Sequence, residues 1–61
     1  MEVTFLLTEY EDGTFRIETK HMHYHFRTFY DNLKAKDVVA AMREIANDLS
    51  NDGVAVLFEI D

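Results

Sequence analysis

The sequence predicts a small α+β domain with one helix packed on a mostly antiparallel sheet, in the order β-β-α-β with a possible extra short strand before the helix. Three observations predict this fold. A glycine turn separates two alternating segments, apolar residues then recur at helical spacing, and a second glycine precedes a final apolar run. The 61 residues suffice for one core, so residues 1–61 are expected to form a single domain.

The first turn, Glu11-Asp12-Gly13, is compatible with two hairpin registers. A two-residue Asp-Gly loop would pair Leu7 with Glu18. A three-residue loop with Gly13 in the left-handed conformation pairs Leu7 with Ile17 instead. We prefer the second register because it places five apolar residues on one face of the hairpin. These residues are Val3, Phe5, Leu7, Phe15 and Ile17.

The segment after this hairpin changes phase. Apolar side chains occupy odd positions up to Ile17 but even positions at Met22 and beyond. This change predicts a β-bulge, a twist or a break into a third strand near Glu18 to Lys20. The first strand has no residues left to pair with residues 23–30, which therefore need a partner from the same chain or from a second copy. Four aromatic residues here are candidates for a homodimer interface: Tyr24, Phe26, Phe29 and Tyr30.

The helix is predicted to start between Leu33 and Ala35 and to end before Asn51, with Gly53 at the left-handed position that follows a helix. Its apolar residues recur every three or four positions, which indicates one buried face. They are Val38, Val39, Met42, Ile45, Ala46 and Leu49. The following run, residues 54–60, is apolar on both faces up to Glu59, as is typical of a strand covered on both sides or placed inside a sheet.

Charge and composition limit the classes of function. Twelve acidic and six basic residues give a net charge of −6, which disfavours direct binding to nucleic acid or to anionic membranes. The chain has no cysteine, so disulfides are excluded. No apolar run approaches the ~20 residues that span a bilayer, and no secretory signal is recognisable. We expect a cytoplasmic protein.

The acidic residues of the predicted helix are the candidate partner-binding site. At about 100° per residue they lie within about 80° of one another, with charges roughly 6–10 Å apart along the axis. Such a row can imitate a nucleic-acid backbone in front of a basic groove, although it can also be an ordinary solvated face. Its members are Asp37, Glu44, Asp48 and Asp52.

Three histidines alternate along the segment after the hairpin: His21, His23 and His25. On a strand, alternate residues lie on the same side, so a zinc or nickel site or a pH-sensitive surface is conceivable. A solvent-exposed strand face is the simpler interpretation. We therefore expect no metal and no cofactor.

Catalytic groups are sparse. Ser50 is the only serine, and no histidine lies near it in sequence. Two isolated glycines cannot form a phosphate-binding loop. A chain of this size also has little room for a substrate pocket, so we expect that the protein is not an enzyme.

The segments from Phe5 to Glu18, with the Glu-Asp-Gly turn, and from Leu33 to Met42 resemble HicB-like antitoxin domains. The resemblance covers roughly residues 3–50. The chain lacks the proline-containing segment that follows the second strand in that family, and it has no DNA-binding extension. The resemblance implies an oligomer that neutralises a small basic ribonuclease by covering it. In size and charge the chain is also similar to phage-encoded anti-CRISPR and anti-restriction proteins.

Taken together, these features predict a small acidic inhibitor, a nucleic-acid mimic and homodimer that occludes a basic surface of a nucleic-acid-handling protein. Two alternatives stay open at this point. One is a structural self-assembly module held together through residues 23–30. The other is a metal- or pH-responsive protein that uses the three histidines.

Overall fold

The computed structural model describes residues 2–19 and 27–61 of the chain. It confirms the predicted α+β fold, with the extra strand before the helix. The sheet is mixed and has the order β3-β2-β1-β4, with β4 parallel to β1 and the other neighbours antiparallel. The elements are β1 (Glu2–Glu9), β2 (Phe15–Thr19), β3 (Arg27–Leu33), α1 (Ala35–Asn51) and β4 (Ala55–Ile60).

The β1–β2 hairpin has the register predicted from its side chains. Leu7 lies opposite Ile17, and Gly13 has a positive φ of 85°. A carboxylate oxygen of Asp12 accepts hydrogen bonds from the Thr14 backbone N–H at 2.9 Å and from its hydroxyl at 2.6 Å. Both hydrogen bonds lower the pKa of Asp12, and the bond from the Thr14 hydroxyl has the larger effect. The acidic turn is thus ordered by its own side chain.

The phase change after Ile17 reflects a break into a third strand, which was one of the three predicted outcomes. β2 ends at Thr19, and β3 pairs antiparallel with it. Residues 27–30 therefore find their partner within the same chain, and no second copy is needed to pair them. The β2–β3 register shifts on both sides of Ile17, and Asn32 has a positive φ of 55°.

Helix α1 packs on one face of the sheet through its predicted stripe, with two differences. Val38 and Ile45 are buried as predicted, but Ala41, which the prediction omitted, is also buried, and Val39 is 57% exposed. The helix includes Asn51, one residue beyond its predicted end, and Gly53 takes the left-handed position as predicted. Gly53 has a φ of 77°, and its N–H donates to the Ser50 carbonyl at 3.0 Å. The N–H of the next residue bonds to the Leu49 carbonyl at 2.9 Å, which completes a Schellman motif.

The core lies between α1 and the two inner strands. Phe5 of β1 and Ile17 of β2 are fully buried and pack with Ala41 and Ile45. Each sheet edge adds an aromatic ring to Phe5. The centroid of Phe29 lies 5.1 Å from that of Phe5 in an edge-on geometry, and that of Phe58 lies 5.8 Å away.

Strand β4 differs from the prediction. It is an edge strand, and the described part of the chain places its one helix on a single face of the sheet. Val56 and Phe58 are half-buried against the core, but Leu57 is 48% and Ile60 84% exposed. The prediction of cover on both sides was wrong because apolar residues on both faces do not by themselves place a strand inside a sheet.

Candidate protein-binding site

The four acidic residues predicted to bind a partner are all exposed, three on α1 and Asp52 at its C-terminal cap. The Tyr30 hydroxyl donates a hydrogen bond to Oε2 of Glu44 at 3.2 Å. Since Tyr30 belongs to β3, this row of carboxylates lies on the side of the helix that faces β3. We call Asp37, Glu44, Asp48 and Asp52 the acidic flank.

A shallow pocket of about 180 Å³ lies between α1 and β3, beside the acidic flank. Its lining is mainly apolar, and two carboxylates, those of Glu44 and Asp48, belong to it. The other lining residues are Phe5, Phe29, Tyr30, Ile45 and Leu49. The acidic flank therefore borders a concave surface with aromatic side chains. A row of charges on an isolated helix would have no such surface beside it.

This pocket could not be predicted from side-chain alternation. In a regular strand the consecutive residues Phe29 and Tyr30 would point to opposite faces of the sheet. The register shift between Ile17 and Glu18 lies opposite them, and both line the same pocket. The phase change in the sequence was the available signal, but it did not specify which two residues would share a face.

The electrostatic field of the pocket is negative. Partial burial, the hydrogen bond to Glu44 and the charges of Glu44 and Asp48 all raise the pKa of Tyr30. Within residues 2–19 and 27–61 the one ion pair joins Arg16 to Glu18 at 2.8 Å, on β2. The carboxylates of the acidic flank are thus not neutralised by the cations of the described residues.

A second polar cluster lies near the hairpin. The Tyr10 hydroxyl donates to Oδ1 of Asp31 at 2.9 Å, and this bond is the main reason why the pKa of Tyr10 is raised. The ion pair with Glu18 raises the pKa of Arg16. The Tyr10–Asp31 bond joins the end of the hairpin to β3, and the Arg16–Glu18 ion pair lies within β2. We assign both contacts a structural role.

The remaining predicted site residues are only partly covered by the structure. The three histidines, together with Tyr24 and Phe26, lie outside the described residues. Phe29 is 50% exposed and Tyr30 is half-buried, both at the pocket. Their assignment to a dimer interface stays a prediction. Among the residues that the structure does describe, no three His, Cys, Asp or Glu side chains are grouped so as to hold a metal ion.

Among residues 2–19 and 27–61, no helix has both the length and the apolar composition needed to cross a membrane. No family model, no curated protein and no solved structure matches the chain. The resemblance to HicB-like antitoxin domains thus stays a prediction, and the candidate site is interpreted from its own geometry.

Proposed function

We propose that the protein is a small non-enzymatic inhibitor that occludes a basic surface of a nucleic-acid-handling protein, in the manner of an antitoxin, anti-CRISPR or anti-restriction protein. One observation carries the proposal. Two carboxylates of the acidic flank, Glu44 and Asp48, line a pocket whose other residues are apolar or aromatic.

The charge of the flank supports the choice of partner. Charges of one sign on one side of a small protein attract a basic surface and accelerate the encounter with it. They repel nucleic acid, so the protein itself is not expected to bind DNA or RNA. A basic groove that normally holds nucleic acid is the complementary partner.

The pocket indicates which side chain of the partner it would bind. An arginine side chain has an apolar stem and a planar cation that can stack on an aromatic ring and pair with a carboxylate. Phe29 is half exposed and lines the pocket, and Glu44 and Asp48 supply the negative charge. We infer that an arginine of the partner enters the pocket while other basic residues of the partner lie along the flank.

The test is binding by charge-reversed variants. Asp37→Lys, Glu44→Lys and Asp48→Lys together should weaken capture of the partner from a host lysate, and binding of an arginine-rich peptide, by at least about tenfold. The matched control reverses three exposed carboxylates on β1 and the hairpin turn, Glu2, Glu9 and Glu11. It changes the net charge equally, so only a local effect of the acidic flank distinguishes the two variants.

Equal loss in both variants would mean that overall charge, and not the acidic flank, drives binding. Unchanged affinity in the acidic-flank variant would contradict the proposal. Circular dichroism must show that both variants are folded. The affinity for the peptide should also fall as salt rises, because exposed charges are screened.

The alternative class, a self-assembly module, is favoured by a different observation. The sequence placed the contact between copies in residues 23–30, but residues 27–30 are paired with β2. Of the two edge strands in the described sheet, β3 and β4, it is β4 whose register is regular.

A further inference from the structure

Among residues 2–19 and 27–61, no strand pairs with the outer edge of β4, so its outward backbone groups lack a partner strand there. The Asp61 N–H donates to the Leu7 carbonyl at 2.9 Å, which continues the parallel ladder between β4 and β1. In such a ladder every second residue bonds to the neighbouring strand. The odd-numbered residues of β4 therefore face β1, and Val56, Phe58 and Ile60 direct their N–H and C=O groups outward.

This edge is regular. Six consecutive pairs, from Glu2 with Ala55 to Leu7 with Ile60, join β4 to β1 without a register shift. Natural edge strands are commonly protected by lysine, proline or a bulge. β4 contains neither lysine nor proline, and Glu59 is its one charged residue.

Exposed apolar side chains accompany this edge. Leu57 and Ile60 lie on β4 itself, and Val39 lies on α1. Val39 is about 140–180° around the helix from Glu44 and Asp48, so it is on the side away from β3. The apolar surface and the acidic flank thus lie on opposite sides of the molecule.

We propose that β4 pairs antiparallel with β4 of a second copy, about a two-fold axis that passes between the two Phe58 residues. In this register Phe58 lies opposite Phe58, and Val56 lies opposite Ile60 of the second copy. It is the one antiparallel register that uses all three outward pairs of N–H and C=O groups, and it forms six hydrogen bonds. Two four-stranded sheets become one eight-stranded sheet.

Self-complementarity favours a second copy as the occupant. A two-fold axis requires a surface that complements itself, and this edge does so in hydrogen bonding and in apolar character. In the proposed register Glu59 faces Leu57 of the second copy, and Asp61 faces Ala55. No two carboxylates lie directly opposite each other, so the usual cost of like charges in opposed positions is avoided.

The pairing of one six-residue strand is a small interface. Interfaces below about 1,200 Å² in total are typical of weak, reversible complexes. We therefore expect a dimer that dissociates on dilution and becomes tighter with added salt, because two chains that each carry a charge of −6 repel each other less when screened.

The register is tested by cysteine cross-linking, for which the cysteine-free chain is a clean background. Leu57 and Glu59 of the second copy would form a non-hydrogen-bonded pair with Cα atoms about 4.5 Å apart, within the range of a disulfide. A mixture of Leu57→Cys and Glu59→Cys chains should give a disulfide-linked dimer under mild oxidation, at least about fivefold more than either variant alone. Equal cross-linking in all three samples would overturn the register.

The interface is tested by sedimentation of two variants with matched exposure. Leu57→Glu on β4 places a carboxylate opposite Glu59 of the second copy, where like charges destabilise strand pairing, so it should raise the dimer dissociation constant at least about tenfold. Phe29→Glu on β3 changes the net charge equally and should leave the dissociation constant unchanged. Phe29 is also part of the aromatic dimer interface predicted from the sequence. A dimer that is lost only with Phe29→Glu, or a wild-type chain that is monomeric at every concentration, would overturn the proposal.

Discussion

The two edges of the sheet differ in how they meet solvent. The β3 edge has a register shifted on both sides of Ile17 and a left-handed residue at Asn32. The β4 edge is in continuous register with β1 and carries two exposed apolar residues, Leu57 and Ile60. Both edges therefore expose large apolar side chains, and the regularity of the backbone is what distinguishes them. Register shifts and bulges disfavour pairing with a further strand, whereas a regular edge favours it.

Truncation of Phe58 or Phe29 is expected to have the largest effect on stability. Phe58 on the β4 edge and Phe29 on the β3 edge each pack a ring against Phe5. Phe58 is half-buried and packs against the core, whereas Phe29 is half exposed. We expect Phe58→Ala to lower the free energy of unfolding by about 2–3 kcal/mol and Phe29→Ala by about 1 kcal/mol. Urea denaturation at low protein concentration measures both. Equal losses would show that the two edges support the core alike.

Substitutions of Asn32 measure how much its left-handed conformation in β3 lowers the free energy of unfolding. A non-glycine residue with β-carbon crowding is disfavoured in the left-handed conformation by about 1–2 kcal/mol, and asparagine tolerates it better than most. We expect Asn32→Ala to destabilise the protein by about 1 kcal/mol, while Asn32→Gly is neutral within about 0.5 kcal/mol. Thermal or urea unfolding of the matched pair measures the difference. If both substitutions had the same effect, the backbone conformation at Asn32 would not be the cause.

Ionisation of Tyr10, which contacts β3, and of Tyr30, which lies in β3, is expected to have the smallest effect on stability. The pKa values of Tyr10 and Tyr30 are both raised above the ordinary 10.0 by hydrogen bonds to carboxylates and by burial. A raised folded pKa means that the neutral phenol is favoured by folding. Its contribution to stability is present below pH 10.0 and is lost as the pH rises through the folded value.

An alkaline absorbance titration should therefore show two late ionisations, and Tyr10→Phe and Tyr30→Phe should each remove one of them. The comparison also separates the sites, because Glu44→Gln should lower only the Tyr30 midpoint. A titration in which both tyrosines ionise at the ordinary value would mean that the contacts of Tyr10 with Asp31 and of Tyr30 with Glu44 do not persist in solution.

Local signals in the sequence predicted most of the fold. The hairpin register was predicted because Leu7 pairs with an apolar residue, Ile17, in one register and with Glu18 in the other. The end of the helix was located by Gly53, which suits the left-handed position after a helix. The prediction for β4 was wrong because burial of a strand depends on which strands and helices surround it, and the sequence does not specify that order. Val39 is exposed although it belongs to the predicted stripe, because it lies about 100° around the helix from Val38, at the margin of the stripe.

The candidate site was predicted only in part. Periodicity placed Asp37, Glu44 and Asp48 on one flank, and the structure confirms that these side chains are exposed. The adjoining pocket depends on a register shift that brings Phe29 and Tyr30 to one face. The shift is a property of how β2 and β3 pair, which local patterns in the sequence do not specify, so they could not have located the pocket.

The parallel pairing of β1 with β4 has a consequence for how the protein is made. Glu2 is aligned with Ala55, so β1 cannot pair with β4 until a segment much later in the chain has been synthesised. Contacts between residues so distant in sequence slow folding, because a long loop must close before they form. We expect strands β1 to β3 and the helix to lack this fourth strand until residues 55–60 emerge from the ribosome, and the four-stranded sheet to be completed only then.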